Sequence, residues 1–151
     1  MEFRAREAKP TDASVICALL RAVTPLIVPG PVDPNAIPFL QSLQEPAVSE
    51  RLMARNYLHW VAERGAEFGG YIATRDGSHL YHLFVRPELH GQGIGRLLWQ
   101  HLLRINGPGP YTVNSTISAV PVYRSFGFVR SGEPQLHSCP PYVPMAYVGG
   151  S

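Results

Sequence analysis

Residues 79–103 read HLYHLFVRPELHGQGIGRLLWQHLL, and the rest of the chain can be placed around them. An apolar and aromatic run ends at Val85, and Arg86-Pro87 breaks it. Glycines follow at 91, 93 and 95, and a leucine-rich amphipathic segment begins behind them. That order predicts strand, turn, glycine loop and helix. Glycines let backbone N–H groups come close to a ligand. The helix start behind them carries a partial positive charge, so the arrangement suits a phosphate. It is not the dinucleotide fingerprint GxGxxG, because Arg96 stands where the last glycine is required. Nor is it a Walker loop, since no Gly-Lys-Ser/Thr follows.

Outward from this stretch, residues 57–63 and 68–74 alternate as strands, and Asp76-Gly77 is a hairpin signal leading into the strand that ends at Val85. Three consecutive strands thus form an antiparallel meander. Before them, Thr11-Asp12 offers an N-cap to a helix carrying Val15, Ile16, Leu19 and Leu20 on one face. Pro25, Pro29, Pro31 and Pro34 then predict an irregular loop, because no regular helix tolerates them. Residues 35–44 and 48–55 read as short helices, the second following Pro46. Beyond the leucine-rich helix, 106–110 (Asn-Gly-Pro-Gly-Pro) is a hard stop. Residues 111–115 are a strand that can lie parallel to 79–85 through a right-handed crossover. A helix over 117–126 with Gly127 as its cap, strands at 128–130 and 142–148, and a loose tail at 149–151 complete the order. A low-contrast strand at 3–5 opens it. The expectation is one α+β domain over residues 1–151, with a mixed, mostly antiparallel sheet of about six to seven strands and about four helices.

Composition narrows the function. Thirteen basic against eleven acidic residues leave the chain nearly neutral, and Lys9 is its one lysine. No concentrated basic face is visible, so nucleic acid is not an expected partner. Cys17 and Cys139 are far apart and lack metal-ligand spacing, so two reduced thiols and no metal are expected. The N-terminus shows no signal-like apolar segment, and no run is read as approaching the roughly 18 residues that span a membrane. A cytoplasmic enzyme or binding module, without membrane partner, is the default.

The stretch 85–98, VRPELHGQGIGRLL, resembles the acetyl-CoA-binding motif of the GCN5-related N-acetyltransferases (GNAT), written Arg/Gln-x-x-Gly-x-Gly/Ala. The motif falls on His90, Gly93 and Gly95. A second block, 114–128 (NSTISAVPVYRSFGF), is similar to the family's later motif, in which an Asn ends a strand and a Tyr precedes Gly-Phe. The order of elements agrees as well, so the resemblance spans nearly the whole chain. It implies the GNAT acyl-CoA N-acyltransferase fold and transfer of an acetyl group from acetyl-CoA to a primary amine in a ternary complex. A non-catalytic acyl-CoA-binding sensor or interaction module is the alternative. Many relatives dimerise, so a homodimer is among the arrangements the resemblance allows.

By the same resemblance, the backbone of Leu83, Phe84 and Val85 pairs with pantetheine, and N–H groups of Gly91, Gln92, Gly93, Ile94, Gly95 and Arg96 cradle the pyrophosphate. Asn114 meets the pantetheine arm or closes its strand. Tyr123 lies near the CoA sulfur and protonates the departing thiolate. His90 departs from the usual Arg or Gln and offers less charge. For the amine's proton, family spacing points six residues back from Val85 to His79. Ordinary alternation groups His79 with Tyr81, Leu83 and Val85, and puts the competitor His82 with Leu80 and Phe84 on the other face. A water relay is the third option. The proline-rich loop over 25–38, His59 and the segment 135–142 are expected to border the acceptor amine. With few acidic residues there, a small aromatic or neutral amine is favoured over a polyamine, and a protein N-terminus or lysine stays open. Trp60, Trp99, Phe126 and Phe128 are read as core.

Overall fold

A computed structural model describes residues 2–28 and 33–148. Pro29 and Pro31 of the expected loop, and the tail at 149–151, lie outside the described residues. Seven strands form one sheet in the order β1-β2-β3-β4-β5-β7-β6. They are β1 (Arg4–Glu7), β2 (Tyr57–Arg64), β3 (Glu67–Arg75), β4 (His79–Val85), β5 (Thr112–Ser115), β6 (Phe128–Arg130) and β7 (Val143–Tyr147). The β4–β5 pair alone is parallel among the described pairs. Asp76 (φ 58°) and Gly77 (φ 71°) make the β3–β4 hairpin turn with two positive φ values, as an Asp-Gly pair allows. Five α-helices pack on the sheet: α1 (Ala13–Ile27), α2 (Ile37–Ser42), α3 (Glu45–Met53), α4 (Ile94–Asn106) and α5 (Val120–Phe126).

Each sheet face has its own apolar cluster. Trp60, Ala62, Ile72 and Leu80 pack with Leu98, Trp99 and Leu102 of α4 and with Phe126 and Phe128, so the four aromatics read as core are core. On the opposite face, Val61, Tyr71 and Ala73 meet Ile16, Leu20 and Val23 of α1 and Val48 of α3. Each fully buried aliphatic side chain contributes roughly 1.5–3 kcal/mol. Gly70 lets α4 come close to β3, since a Cβ there would stand 3.1 Å from both Ile94 Cγ2 and the Phe84 carbonyl.

Three local expectations are corrected. Helix α1 runs through Pro25 to Ile27 instead of ending before it. The hydrogen bond that Pro25 cannot make would have gone to the carbonyl of Arg21, an exposed residue that water can serve. Pro46 lies inside the first turn of α3, where a missing N–H costs little, so that helix begins at Glu45 rather than Val48. Asp12 is the N-cap of α1 by position, but its carboxylate accepts from the Lys9 N–H (2.7 Å) and from both terminal nitrogens of Arg6 (2.9 and 3.0 Å). The ion pair with Arg6 holds Asp12 below the usual carboxylate range.

A fourth correction concerns membrane length. Residues Pro10–Ile27, α1 with the turn before it, make 18 residues of mean hydropathy 1.3, long and apolar enough to cross a membrane by that measure alone. Ile16, Cys17, Leu19, Leu20 and Val23 of this helix are buried against the sheet, which accounts for the hydropathy as that of a core helix.

Candidate active site

Strands β4 and β5 pair at only two positions, His79 with Thr112 and Leu80 with Val113. From Tyr81 onward β4 has no strand partner on that side among the described residues, and a cleft of about 730 Å³ opens beside it. Leu83, Phe84 and Val85 line the cleft together with the glycine loop, Asn114 and Tyr123. Of the residues expected to hold the cofactor, Gln92 alone does not line it. Gly91 and Gly93 adopt φ values of 85° and 81°, and a Cβ on either would meet nothing within 4 Å, so the glycines are required by backbone conformation while the space above them stays open. Gly93 is the N-cap of α4, which leaves the first N–H groups of that helix without intrahelical partners. The side chain of Ile94 is buried in the core, so only its backbone can serve the loop.

His90 and Arg96 are both exposed and already have protein partners. His90 Nε2 lies 2.9 Å from the Val85 carbonyl, an acceptor, so this nitrogen carries the hydrogen and ties the loop to the end of β4. The Arg96 guanidinium reaches Ser125 Oγ at 3.2 Å and lies 5.3 Å from the Phe126 ring centroid, bracing α4 against α5.

Tyr123 is 6% exposed and meets Phe126 and Phe128 edge-on. Its hydroxyl makes no hydrogen bond among the described residues. Burial raises its pKa, so it holds its proton throughout the physiological range.

A second cleft, of about 280 Å³, adjoins the first. The two share Ile27, Tyr81, His82, Phe84, Asn114 and Thr116 as a common wall. His79 lines the second cleft only, with Nδ1 2.9 Å from Thr112 Oγ1. Burial, then the nearby Arg75, lowers its pKa. Ile27 of the proline-rich stretch 25–38, Phe39 just beyond it, and Ser138, Cys139, Pro140 and Tyr142 from the 135–142 segment also border this cleft.

Strand parity in β4 differs from simple alternation. Leu83 stands opposite Ile72 and His82 opposite Ala73, yet Leu80 stands opposite Thr74, so Tyr81 is an extra residue in a β-bulge. Leu80 therefore joins Leu83 and Val85 on the α4 face. His79, opposite Arg75, comes to the α1 face with His82 and Phe84. The expected separation of His79 from His82 is overturned. His82 is 6% exposed, and its Nε2 is buried with no hydrogen-bond partner among the described residues. Burial, reinforced by Arg51 and His59, depresses its pKa to about 3, so it is neutral.

His59 does not border either cleft, contrary to expectation. Its Nε2 donates to the Arg51 carbonyl at 2.9 Å, which leaves Nδ1 to accept from the Tyr71 hydroxyl at 2.5 Å. Both partners lie in the core behind the site, where a strand position alternating inward is buried. Sequence reading also passed over Tyr81, Arg75 and Arg51. The guanidinium carbons of Arg51 and Arg75 lie 5.1 and 5.6 Å from the Tyr81 ring centroid. A bulge leaves no compositional mark, so nothing in the residue pattern placed Tyr81 there.

The sequence matches the acetyltransferase (GNAT) domain profile over residues 31–148. The peptidyl-lysine N-acetyltransferase YjaB of Salmonella typhimurium is 39% identical over 81 residues, covering 51% of this chain and 54% of that protein. Its Escherichia coli counterpart is 32% identical over 96 residues, covering 60% and 64%. The matched stretch thus spans about half to two thirds of the length of these relatives. Among solved structures, apo YjaB from E. coli superposes with a TM-score of 0.68 at 25% identity over 99% of this chain and all of that one. The PaiA N-acetyltransferase of Thermoplasma acidophilum, solved with coenzyme A, gives 0.80 at 14% identity over 97% and 99%, a likeness of fold.

Proposed function

The chain belongs to the GNAT acetyltransferase family, and from that premise we propose that it transfers the acetyl group of acetyl-CoA directly to a primary amine, the side-chain amine of a protein lysine. The observation that carries this reading is the meeting of two clefts at one wall, with His82, Asn114 and Thr116 facing both. A thioester in the first cleft and an amine in the second would touch there, as direct transfer without an acyl-enzyme requires. The lysine acceptor is supported by the two YjaB relatives, which are peptidyl-lysine N-acetyltransferases.

The residues present fit acetyl-CoA. The unpaired edge of Leu83, Phe84 and Val85 can hydrogen-bond the amide groups of pantetheine, with Asn114 across the cleft. The open cradle at Gly91 and Gly93 and the free N–H groups of Ile94, Gly95 and Arg96 suit a pyrophosphate, each charge-assisted bond contributing about 1.5–3 kcal/mol. Gln92 serves through its backbone if it serves at all. In the reaction an N–C bond forms, the C–S bond breaks, the nitrogen loses a proton and the sulfur gains one. Tyr123, protonated and without another hydrogen bond, supplies the sulfur's proton. In the tautomer that donates Nδ1–H to Thr112 Oγ1, His79 keeps an Nε2 lone pair to take the amine's proton directly or through water. His82, neutral and part of the shared wall, orients the amine against its ring.

Acetyl-CoA turnover on lysine-containing peptides, with CoA binding measured by calorimetry, tests the proposal. Steady turnover is expected. CoA binding with no turnover across a broad amine panel would instead identify a binding module.

A further inference from the structure

The second cleft is charged in one sense only. Arg75 and His79 line it, and none of its lining residues is Asp or Glu. Asp76 Oδ2 stands 4.0 Å from Arg75 Nε on a side chain that is 67% exposed, too long for a charge-assisted hydrogen bond. Just behind the wall, Arg51 of α3 donates from Nη2 to the carbonyl of Ser42, itself a lining residue, and its Nε is buried without a partner. Arg51 makes no ion pair among the described residues. Two guanidinium charges therefore bear on the cleft, Arg51 with no carboxylate partner among the described residues and Arg75 with only the exposed Asp76 at 4.0 Å.

At the inner end, His82 Nε2 is a buried nitrogen without a partner, and of the buried unpartnered atoms it alone belongs to a lining residue. Arg75 lies two positions along β3 from Ala73, which faces His82. Arg75 and His82 are thus diagonal neighbours on one face, their starting points roughly 7–8 Å apart. An amine seeking His82 and a carboxylate seeking Arg75 can occupy these places on one short carrier.

Resting on the acetyl-transfer reading above, we infer that this cleft selects amines carried beside a carboxylate, as in a lysine flanked by acidic residues, and rejects polycations. A polyamine or arginine-flanked lysine brings further positive charge into the field of a cleft lined by Arg75 and by no carboxylate. An acidic carrier balances Arg75 instead, and leaves the amine facing His82. The same field assists the chemistry, because a lysine amine of pKa about 10.4 must be neutral to attack, and nearby positive charge disfavours its protonated form. Arg75 is a specificity residue in this scheme and touches no reacting atom.

The test uses two capped peptides of equal length, one lysine flanked by glutamates and one flanked by arginines, with spermidine as a polycation. For each, kcat/KM and the rise in melting temperature of the CoA-saturated protein are measured, in wild type, Arg75→Gln and Arg75→Lys. The glutamate peptide is expected to lead by at least about tenfold in kcat/KM, mostly through KM, with the larger thermal shift. Arg75→Gln should bring the ratio to within about twofold, and Arg75→Lys should keep most of it. An equal or reversed preference, a ratio that survives Arg75→Gln, or no thermal shift with any amine overturns the inference. Thermal selectivity for the glutamate peptide without turnover would leave the acceptor class standing and remove the acetyl-transfer reading alone.

Discussion

His79 and His82 lie on the same face of the sheet, three residues apart in one strand, because Tyr81 is an extra residue between the Leu80–Thr74 and His82–Ala73 pairs. Regular alternation would have put them on opposite faces. The bulge brings both imidazoles into the second cleft, and puts His82 alone of the two at the wall shared with the first.

Removing the Tyr123 hydroxyl should separate chemistry from binding. Tyr123→Phe keeps the ring contacts with Phe126 and Phe128, so folding and CoA affinity are expected to stay near wild type. Turnover should fall by about 10²–10⁴-fold, the usual contribution of a placed general acid. Full turnover with a good acceptor would show that the leaving thiolate finds its proton elsewhere.

His82 should trade stability against activity. Tyr71, Tyr81 and Phe84 surround it with rings, so His82→Phe replaces a buried unpartnered nitrogen with an apolar edge. Unfolding in urea is expected to show unchanged stability or a gain of about 1–2 kcal/mol, while turnover drops. A variant that folds well and turns over like wild type would exclude His82 from contact with the amine.

Acid should weaken the fold before the carboxylates titrate. Burial lowers the pKa of His59, and that of His82 to about 3, whereas both sit near about 6.5 in the unfolded chain. Folded values below unfolded ones mean that the unfolded chain takes up more protons as pH falls. The stability these neutral imidazoles contribute is thus present above about pH 6.5 and is lost on going down toward the folded values. The slope is at most about 1.4 kcal/mol per pH unit for each fully buried imidazole. Urea midpoints between about pH 6.5 and 4.5 should fall accordingly, and less steeply in His82→Phe. A flat profile over that window would contradict burial of these rings in the neutral form.

His90 ties the loop to β4 through the Val85 carbonyl, and an arginine there keeps a donor while adding charge near the phosphate cradle. His90→Arg should leave CoA affinity unchanged or improve it. Calorimetry showing a loss beyond tenfold would argue against His90 as the counterpart of the motif's Arg or Gln.

Gly93→Ala would force an alanine to φ 81° at the start of α4, at a cost of about 1–2 kcal/mol in stability, without any protein clash. Its Cβ would also stand in the cradle, so CoA affinity should fall by more than stability alone explains. Comparing Gly93→Ala with Gly77→Ala, at the hairpin turn where φ is 71° and the space equally open, isolates that second effect. Equal CoA affinity in both variants would mean that the phosphates do not approach Gly93.

Local chemistry alone settled a good deal of this protein. Asp76-Gly77 needs positive φ and so dictates the hairpin, the glycines at 91 and 93 dictate a loop before α4, and the leucine period of α4 dictates which of its sides is buried. Such features depend on a few neighbouring residues, and so they can be read from the chain. The order of elements followed from them, and the family resemblance implied the motif residues, among them Tyr123, which lines the first cleft. What the chain could not reveal depends on partners distant in sequence. Pro25 stays within α1 because packing of Ile16, Leu20 and Val23 against the sheet outweighs one missing hydrogen bond, and His59 turns inward because Tyr71 and the Arg51 carbonyl complete it. The bulge at Tyr81 is set by register against β3. One residue of slip there decides that His79 and His82 share a face, and that Arg75 stands with them over the cleft.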